Sequence, residues 1–392
     1  MKRFFAGLLV LTMVFSFIPI QGLAKDKEGG LKLAKDSKSA ILMVADTGTV
    51  LYNKNADKRL PPASMTKIMT MLLIMEALNS GKLSLDDKVR TSEHAASMGG
   101  SQIFLEEGET MTVKQMLKAI AVGSANDASV AMAEKIAGSE DSFVKMMNEK
   151  AKKLGLENTH FENPTGLPAE NHYSTAADMA KMARALLRYE KITEYTGIYQ
   201  DYLREGTGNK FWLVNTNRLV KTYPSVDGLK TGYTNEAKYC LTATAKQKGM
   251  RLIAVVMGAP TTKSRNRQVA NMLDYAFSQY QTHKMYDEGA VVKTVHVDKG
   301  VKNKIPAVTS RNVAVLTKKG ESPKNIKKTI EVKDELKAPL KKGEEIGKIV
   351  LKKDGKIVSE VSLVTKNEVP RASWWQLFKR TIGNFTVQSN LH

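Results

Sequence analysis

The order of elements along this chain predicts an α/β (α+β) domain, built of an antiparallel sheet and helices. A small all-β domain and a C-terminal amphipathic helix are predicted to follow. Three observations carry the prediction. Apolar β-rich runs bracket a helix-rich middle, so the first and last pieces can share one sheet. From Lys284 the texture changes to short β-like runs separated by Lys/Gly turns. Near the end, Trp374, Phe378, Ile382 and Phe385 recur at helical spacing, with Lys379 and Arg380 off that face.

Residues 1–24 have a basic start (Lys2, Arg3), an apolar run from Phe4 to Ile20, and Gly22-Leu23-Ala24 as a cleavage point. This is the pattern of a secretory signal peptide, with a retained N-terminal anchor as the alternative. No other segment is apolar enough to span a bilayer. Residues 25–38 read as a loose polar leader. Ala40–Val44 and Thr49–Tyr52, around Asp46-Thr47-Gly48, form a hairpin signal. Pro61-Pro62-Ala63 breaks the chain, and Ser64 to Ala77 reads as a buried helix. Helices are expected over 113–121, 126–136, 142–154 and 175–189, with a loop at Asn163-Pro164-Thr165-Gly166. Strands follow over 240–245 and 252–257, then a closing helix over 264–280. The runs 291–297, 313–316, 346–351 and 357–364 make the β-rich module. The division is therefore 1–24 signal, 25–38 leader, 39–283 main domain, 284–366 β-rich domain and 367–392 amphipathic segment.

The formal charge is +20, and from Lys284 onward 23 basic residues face 12 acidic ones. Such a surface suits a polyanionic neighbour such as anionic lipid or wall polymer. Nucleic acid is disfavoured by the export signal and by the scarcity of aromatic residues among the lysines. One cysteine, Cys240, cannot staple the fold, so an apolar core must hold it. Its place in a strand-like run favours a packing role over a catalytic thiol. Six histidines without His-x-x-x-His spacing imply no metal, and no organic cofactor is implied.

Three short motifs point to chemistry: Ser64-Met65-Thr66-Lys67, Ser124-Ala125-Asn126 and Lys230-Thr231-Gly232. At a helix start, the three-residue spacing of Ser64 and Lys67 puts both on one face. A serine hydroxyl needs a base, and a lysine serves if its charged form is disfavoured by burial and by a second cation, here Lys230. The helix N-terminus adds N–H groups for a developing oxyanion. Singly the motifs are cheap: Ser-x-x-Lys recurs at Ser142–Lys145 and Ser-x-Asn at Ser264–Asn266, although Lys-Thr-Gly occurs once. Their order and context give them weight.

With these motifs, and with Pro62-Ala63, Asn163–Leu167 and Asp227–Thr234 around them, the chain resembles the low-molecular-mass penicillin-binding proteins, serine-type D-alanyl-D-alanine carboxypeptidases. The resemblance implies a serine β-lactamase/transpeptidase-like domain. It also implies Ser64 as nucleophile, Lys67 as base and Ser124 as proton relay. Asn126 would hold the substrate amide, Lys230 would set the local field and Thr231 would bind the terminal carboxylate. The N–H groups of Ser64 and Tyr233, beside Gly232, would form the oxyanion hole. Arg265 is expected near the substrate carboxylate, with a solvated charge at a helix start as the alternative. Partners implied are peptidoglycan stem peptides and, as inhibitors, β-lactams. The implied location is the outer face of the cytoplasmic membrane, held peripherally by the C-terminal helix; a terminal helix docked on its own domain is the alternative. Two positions depart from the family pattern: Lys238, where relatives often carry Gly, and Thr216, where some have Arg. A D,D-endopeptidase, a β-lactamase with Glu157 or Glu162 as candidate base, and a non-catalytic wall-associated scaffold remain as rivals.

Overall fold

The computed structural model describes residues 31–380; the signal segment, the first part of the leader, Ile382 and Phe385 lie outside the described residues. Five strands form one antiparallel sheet: β1 (Ser39–Val44), β2 (Val50–Lys54), β3 (Val226–Thr234), β4 (Lys238–Gln247) and β5 (Met250–Ala259). Their spatial order is β2-β1-β5-β4-β3, so the two ends of the domain share a sheet as expected. Successive side chains on a strand point to opposite faces. Ile41, Met43, Ile253, Val255 and Met257 accordingly face the helical cluster. Ala40, Leu42, Val44, Leu252, Ala254 and Val256 face the opposite layer. Burial on both faces explains why these strands read as unbroken apolar runs.

Helix α1 (Lys67–Asn79) runs through the helical cluster with 10 of its 13 residues buried, as an all-round apolar helix must. Around it stand α2 (Asn126–Ala137), α3 (Glu140–Lys153) and α4 (Ala176–Leu186), while α5 (Thr262–Gln279) covers the other face of the sheet. Ser139, Thr175 and Thr261 cap α3, α4 and α5 through their side chains, which sets the observed starts. The helix expected over 113–121 is α-helical only over Val113–Lys118, then widens into a π turn over Ala119–Gly123.

Two expectations need correction. Lys230-Thr231-Gly232, outside every expected strand, lies within β3, the edge strand. The leader is not loose over residues 33–38. The N–H groups of Asp36 and Ser37 bond Gln268 Oε1, and Lys54 Nζ bonds the carbonyls of Ala34, Lys35 and Ser37, so its polar backbone is satisfied by the domain. A short hairpin, Gln200–Leu203 with Phe211–Val214, was not anticipated.

The strand Tyr280–Tyr286 leaves α5 directly and pairs with Val313–Lys318. Beyond it, a second antiparallel sheet holds, in order, Val291–His296, Lys304–Thr309, Lys356–Thr365, Glu345–Lys353 and Ile326–Val332. Pro306 and the Lys327-Lys328 pair hid two of these strands from sequence reading. Arg311 ties this module to the first, donating to Asp46 O and to Glu360 O. Residues 374–380 are helical; Trp374, Trp375 and Phe378 stack together in solvent, while Arg380 bonds the carbonyls of Gly300 and Val301.

Candidate active site

Ser64 lies on a 3-10 turn, Ala63–Thr66, that feeds directly into α1. Ala63, immediately before it, has φ +49, and the N-terminal Pro62 ends the preceding irregular segment. Lys67, one turn on, is fully buried, and its Nζ lies 3.1 Å from Ser64 Oγ. The same nitrogen donates to Asn126 Oδ1 at 2.6 Å and to Thr165 O at 2.7 Å. Asn126 is oriented by its own Nδ2, which donates to Gly99 O at 2.6 Å. Burial first, and then the charge of Lys230, hold the Lys67 pKa well below the ordinary amine range; Asp127 opposes them.

A neutral amine has two N–H donors and one lone pair. In the neutral form, donation to Asn126 and Thr165 would leave the lone pair of Lys67 facing the Ser64 hydroxyl, to which the charged form donates. Lys230 is also fully buried, and burial with the nearby Arg265 charge lowers its pKa to about 7. Its Nζ donates to Thr231 O at 3.2 Å.

The edge strand reaches the nucleophile because Gly232 has no side chain: a Cβ there would stand 2.7 Å from Pro62 O. Tyr233 follows, half-exposed, its ring 4.6 Å from that of Tyr239. Ser124 ends the π turn in the left-handed region at φ +61 and is buried, and Asn126 opens α2 two residues later. The strain of a non-glycine residue there is borne by a turn that delivers both motif residues from one junction.

Arg265 is buried, so the solvated reading does not hold. Its guanidinium donates to Asn266 Oδ1 through Nε and Nη2, and reaches Cys240 O at 3.5 Å. Cys240 is a buried thiol raised to about 11 by desolvation, which suits packing. Lys238 is exposed with φ +58, a conformation that favours glycine, so its position needs backbone freedom. Thr216 meets Thr231, hydroxyl to hydroxyl, at 2.6 Å.

Sequence reasoning missed three contributors. The Thr165 carbonyl is invisible as a residue type. Gly166 allows the 163–167 loop to close on the nucleophile, since a Cβ there would stand 1.9 Å from Ala63 O. Asp127, fully buried, accepts N–H bonds from Ile103, Leu105 and Ala128 and so fixes the loop facing the site. The Asn126-Asp127 pairing was its available signal. Among the described residues no cluster of His, Cys, Asp and Glu could hold a metal ion.

A serine within hydrogen-bond reach of a fully buried lysine whose charged form is disfavoured has the makings of a serine acyl-transfer site. Residues 27–261 match the family model described as D-alanyl-D-alanine carboxypeptidase, Peptidase S11, and residues 280–371 match that of the penicillin-binding protein 5 C-terminal domain. D-alanyl-D-alanine carboxypeptidase DacF of Bacillus subtilis (strain 168) is 59% identical over 98% of this chain and 99% of its own. DacC of Escherichia coli (strain K12) is 36% identical over 87% and 86% of the two chains. Penicillin-binding protein 5 from Haemophilus influenzae superposes with a TM-score of 0.67 at 33% identity, covering 86% of this chain and 98% of that one. Penicillin-binding protein D2 from Listeria monocytogenes, solved in its ampicillin-bound form, gives 0.56 at 30% identity over 62% and 98%. The chain belongs to the D-alanyl-D-alanine carboxypeptidase family of serine-type peptidases.

Proposed function

We propose that this protein removes the terminal D-alanine from peptidoglycan stem pentapeptides through an acyl-enzyme on Ser64. Lys67 takes the Ser64 proton as Oγ bonds to the penultimate D-alanyl carbonyl carbon. The C–N bond then breaks, and the amine of the departing D-alanine gains a proton by way of Ser124. The N–H groups of Ser64 and Tyr233 receive the oxyanion. Asn126 aligns the substrate amide as well as Lys67, Lys230 supplies positive field, and Thr231 binds the terminal carboxylate with Arg265 behind it. Water then cleaves the ester. The observation that carries this reading is the buried Lys67 Nζ, held by Asn126 Oδ1 and Thr165 O, within 3.1 Å of Ser64 Oγ. β-Lactams acylate the same serine. A β-lactamase reading gains no support from Glu162, whose carboxylate pairs with exposed His160 at 3.2 Å.

The enzyme acts outside the cytoplasm. No helix among the described residues is long and apolar enough to cross a membrane. The exposed Trp374, Trp375 and Phe378 cluster supports peripheral attachment at an anionic bilayer face. The β-rich domain would then serve as a stalk.

The test is release of D-alanine from diacetyl-Lys-D-Ala-D-Ala by the full chain beside Ser64→Ala. Release abolished in the variant supports the reading. A stable penicillin adduct on Ser64 without D-alanine release would favour the endopeptidase or scaffold alternative.

A further inference from the structure

Thr216 belongs to none of the three motifs, yet the fold mounts it with care. Asn215, buried, donates Nδ2 to Thr196 O at 3.0 Å and Ile198 O at 2.7 Å, and its Oδ1 accepts the Asn217 N–H at 2.8 Å. Asn217, also buried, donates Nδ2 to Gly228 O on β3 at 3.1 Å, and its Oδ1 accepts the Leu219 N–H at 3.2 Å. Two buried asparagines thus fix the exposed residue between them, Asn215 to the 196–198 segment and Asn217 to the strand that carries Thr231. The locked loop holds the Thr216 hydroxyl 2.6 Å from the Thr231 hydroxyl.

A hydroxyl has one donor and two acceptor lone pairs. Bonded to each other, the two threonines use one O–H between them and keep the second free for a ligand. An arriving anion can recruit both O–H groups by rotation alone, without moving backbone. Lys230 and Arg265 stand buried close to this pair: Lys230 Nζ donates to Thr231 O, and the Arg265 charge acts on Lys230. The hydroxyls therefore present donors at the edge of a positive field, which suits a carboxylate.

We propose that Thr216 is a specificity-determining residue: with Thr231 it forms a two-hydroxyl clasp for the C-terminal carboxylate of the leaving D-amino acid. This rests on the reading of Thr231 given above. The clasp binds ground state and transition state alike, since the carboxylate stays remote from the bond being broken.

The test is steady-state hydrolysis of diacetyl-Lys-D-Ala-D-Ala by the full chain and by Thr216→Val, Thr216→Ser, Thr231→Val and the double valine variant. Losing one charge-assisted donor raises KM about tenfold in Thr216→Val, with kcat within about twofold. Thr216→Ser restores the wild-type KM, and the double variant loses less than the product of the two single effects. A wild-type KM in Thr216→Val beside a raised KM in Thr231→Val overturns the clasp and leaves the Thr231 reading standing. Wild-type KM in both overturns the Thr231 reading as well. A fall in kcat without a change in KM, or failure of serine to rescue, also overturns the proposal. Val is close to Thr in shape and position 216 is exposed, so the thermal midpoint of Thr216→Val should match wild type; Thr216→Ser provides the test if it does not.

Discussion

Asn126→Asp perturbs the Ser64–Lys67 pair at its support. The substitution keeps the oxygen that Lys67 Nζ reaches at 2.6 Å and adds one negative charge beside it. In the proposed reaction Lys67 serves as a base because desolvation, then Lys230, disfavour its charged form. An opposite charge within about 4–6 Å moves a pKa by roughly 1–3 units toward the charged form. Each unit is about 1.4 kcal/mol and, below the new pKa, about a tenfold loss of neutral amine. Acylation by a fluorescent penicillin at pH 7 should therefore fall in the variant, by at most about 1000-fold. The loss should shrink as pH rises, because hydroxide restores the neutral amine. The variant also forfeits the Asn126 Nδ2 bond to Gly99 O, which removes a constant factor at every pH. Measuring the acylation rate from pH 6 to 10 separates the two effects. A wild-type rate, or a loss that stays constant across that range, would refute the argument that Asn126 acts through the charge state of Lys67.

Two further predictions concern the loop that closes on the nucleophile. Gly166→Ala would place a Cβ 1.9 Å from Ala63 O and 2.9 Å from Ser64 N, at φ +82, so backbone must shift. A cost of about 2–5 kcal/mol in urea unfolding is expected, with a large loss of penicillin acylation; wild-type values in both would show that the contact is slack. His172 accepts the Glu162 N–H at Nδ1, so its Nε2 carries the proton and donates to Thr66 Oγ1 at 2.8 Å. Burial, and secondarily His160, depress its pKa from 6.5 to about 4. The unfolded chain binds this proton more readily, so the stabilisation is complete above pH 6.5 and is lost as pH falls toward 4. It amounts to about 3 kcal/mol. Urea unfolding at pH 7 and pH 4.5 should show His172→Gln with a smaller pH dependence than wild type, and equal slopes would count against it.

Much of the site was legible because its chemistry is local. Ser64 and Lys67 share a helix face by spacing alone, and an apolar run around them predicts the burial that disfavours the charged form of a lysine. The hairpin, α1, β4 and β5 followed from apolar runs and turn residues, whereas the edge strand β3 did not. The β-rich module was visible in texture, although Pro306 and the Lys327-Lys328 pair concealed two strands. The leader misled: its polarity suggested freedom, whereas Gln268 and Lys54, both distant in sequence, satisfy its backbone.

Sequence alone set Ser64 and Lys67 one helical turn apart, offered the apolar N-terminal and aromatic C-terminal segments, and carried the family resemblance, since each depends on residue type at short spacing. Only tertiary structure decided what makes the pair work. The second acceptor for Lys67 is a backbone carbonyl 98 residues away, and the Thr216–Thr231 contact joins a loop to a strand that buried Asn217 also reaches. Carbonyls have no residue signature, and contacts between distant segments are set by how the sheet edge and loops pack, so neither leaves a pattern along the chain.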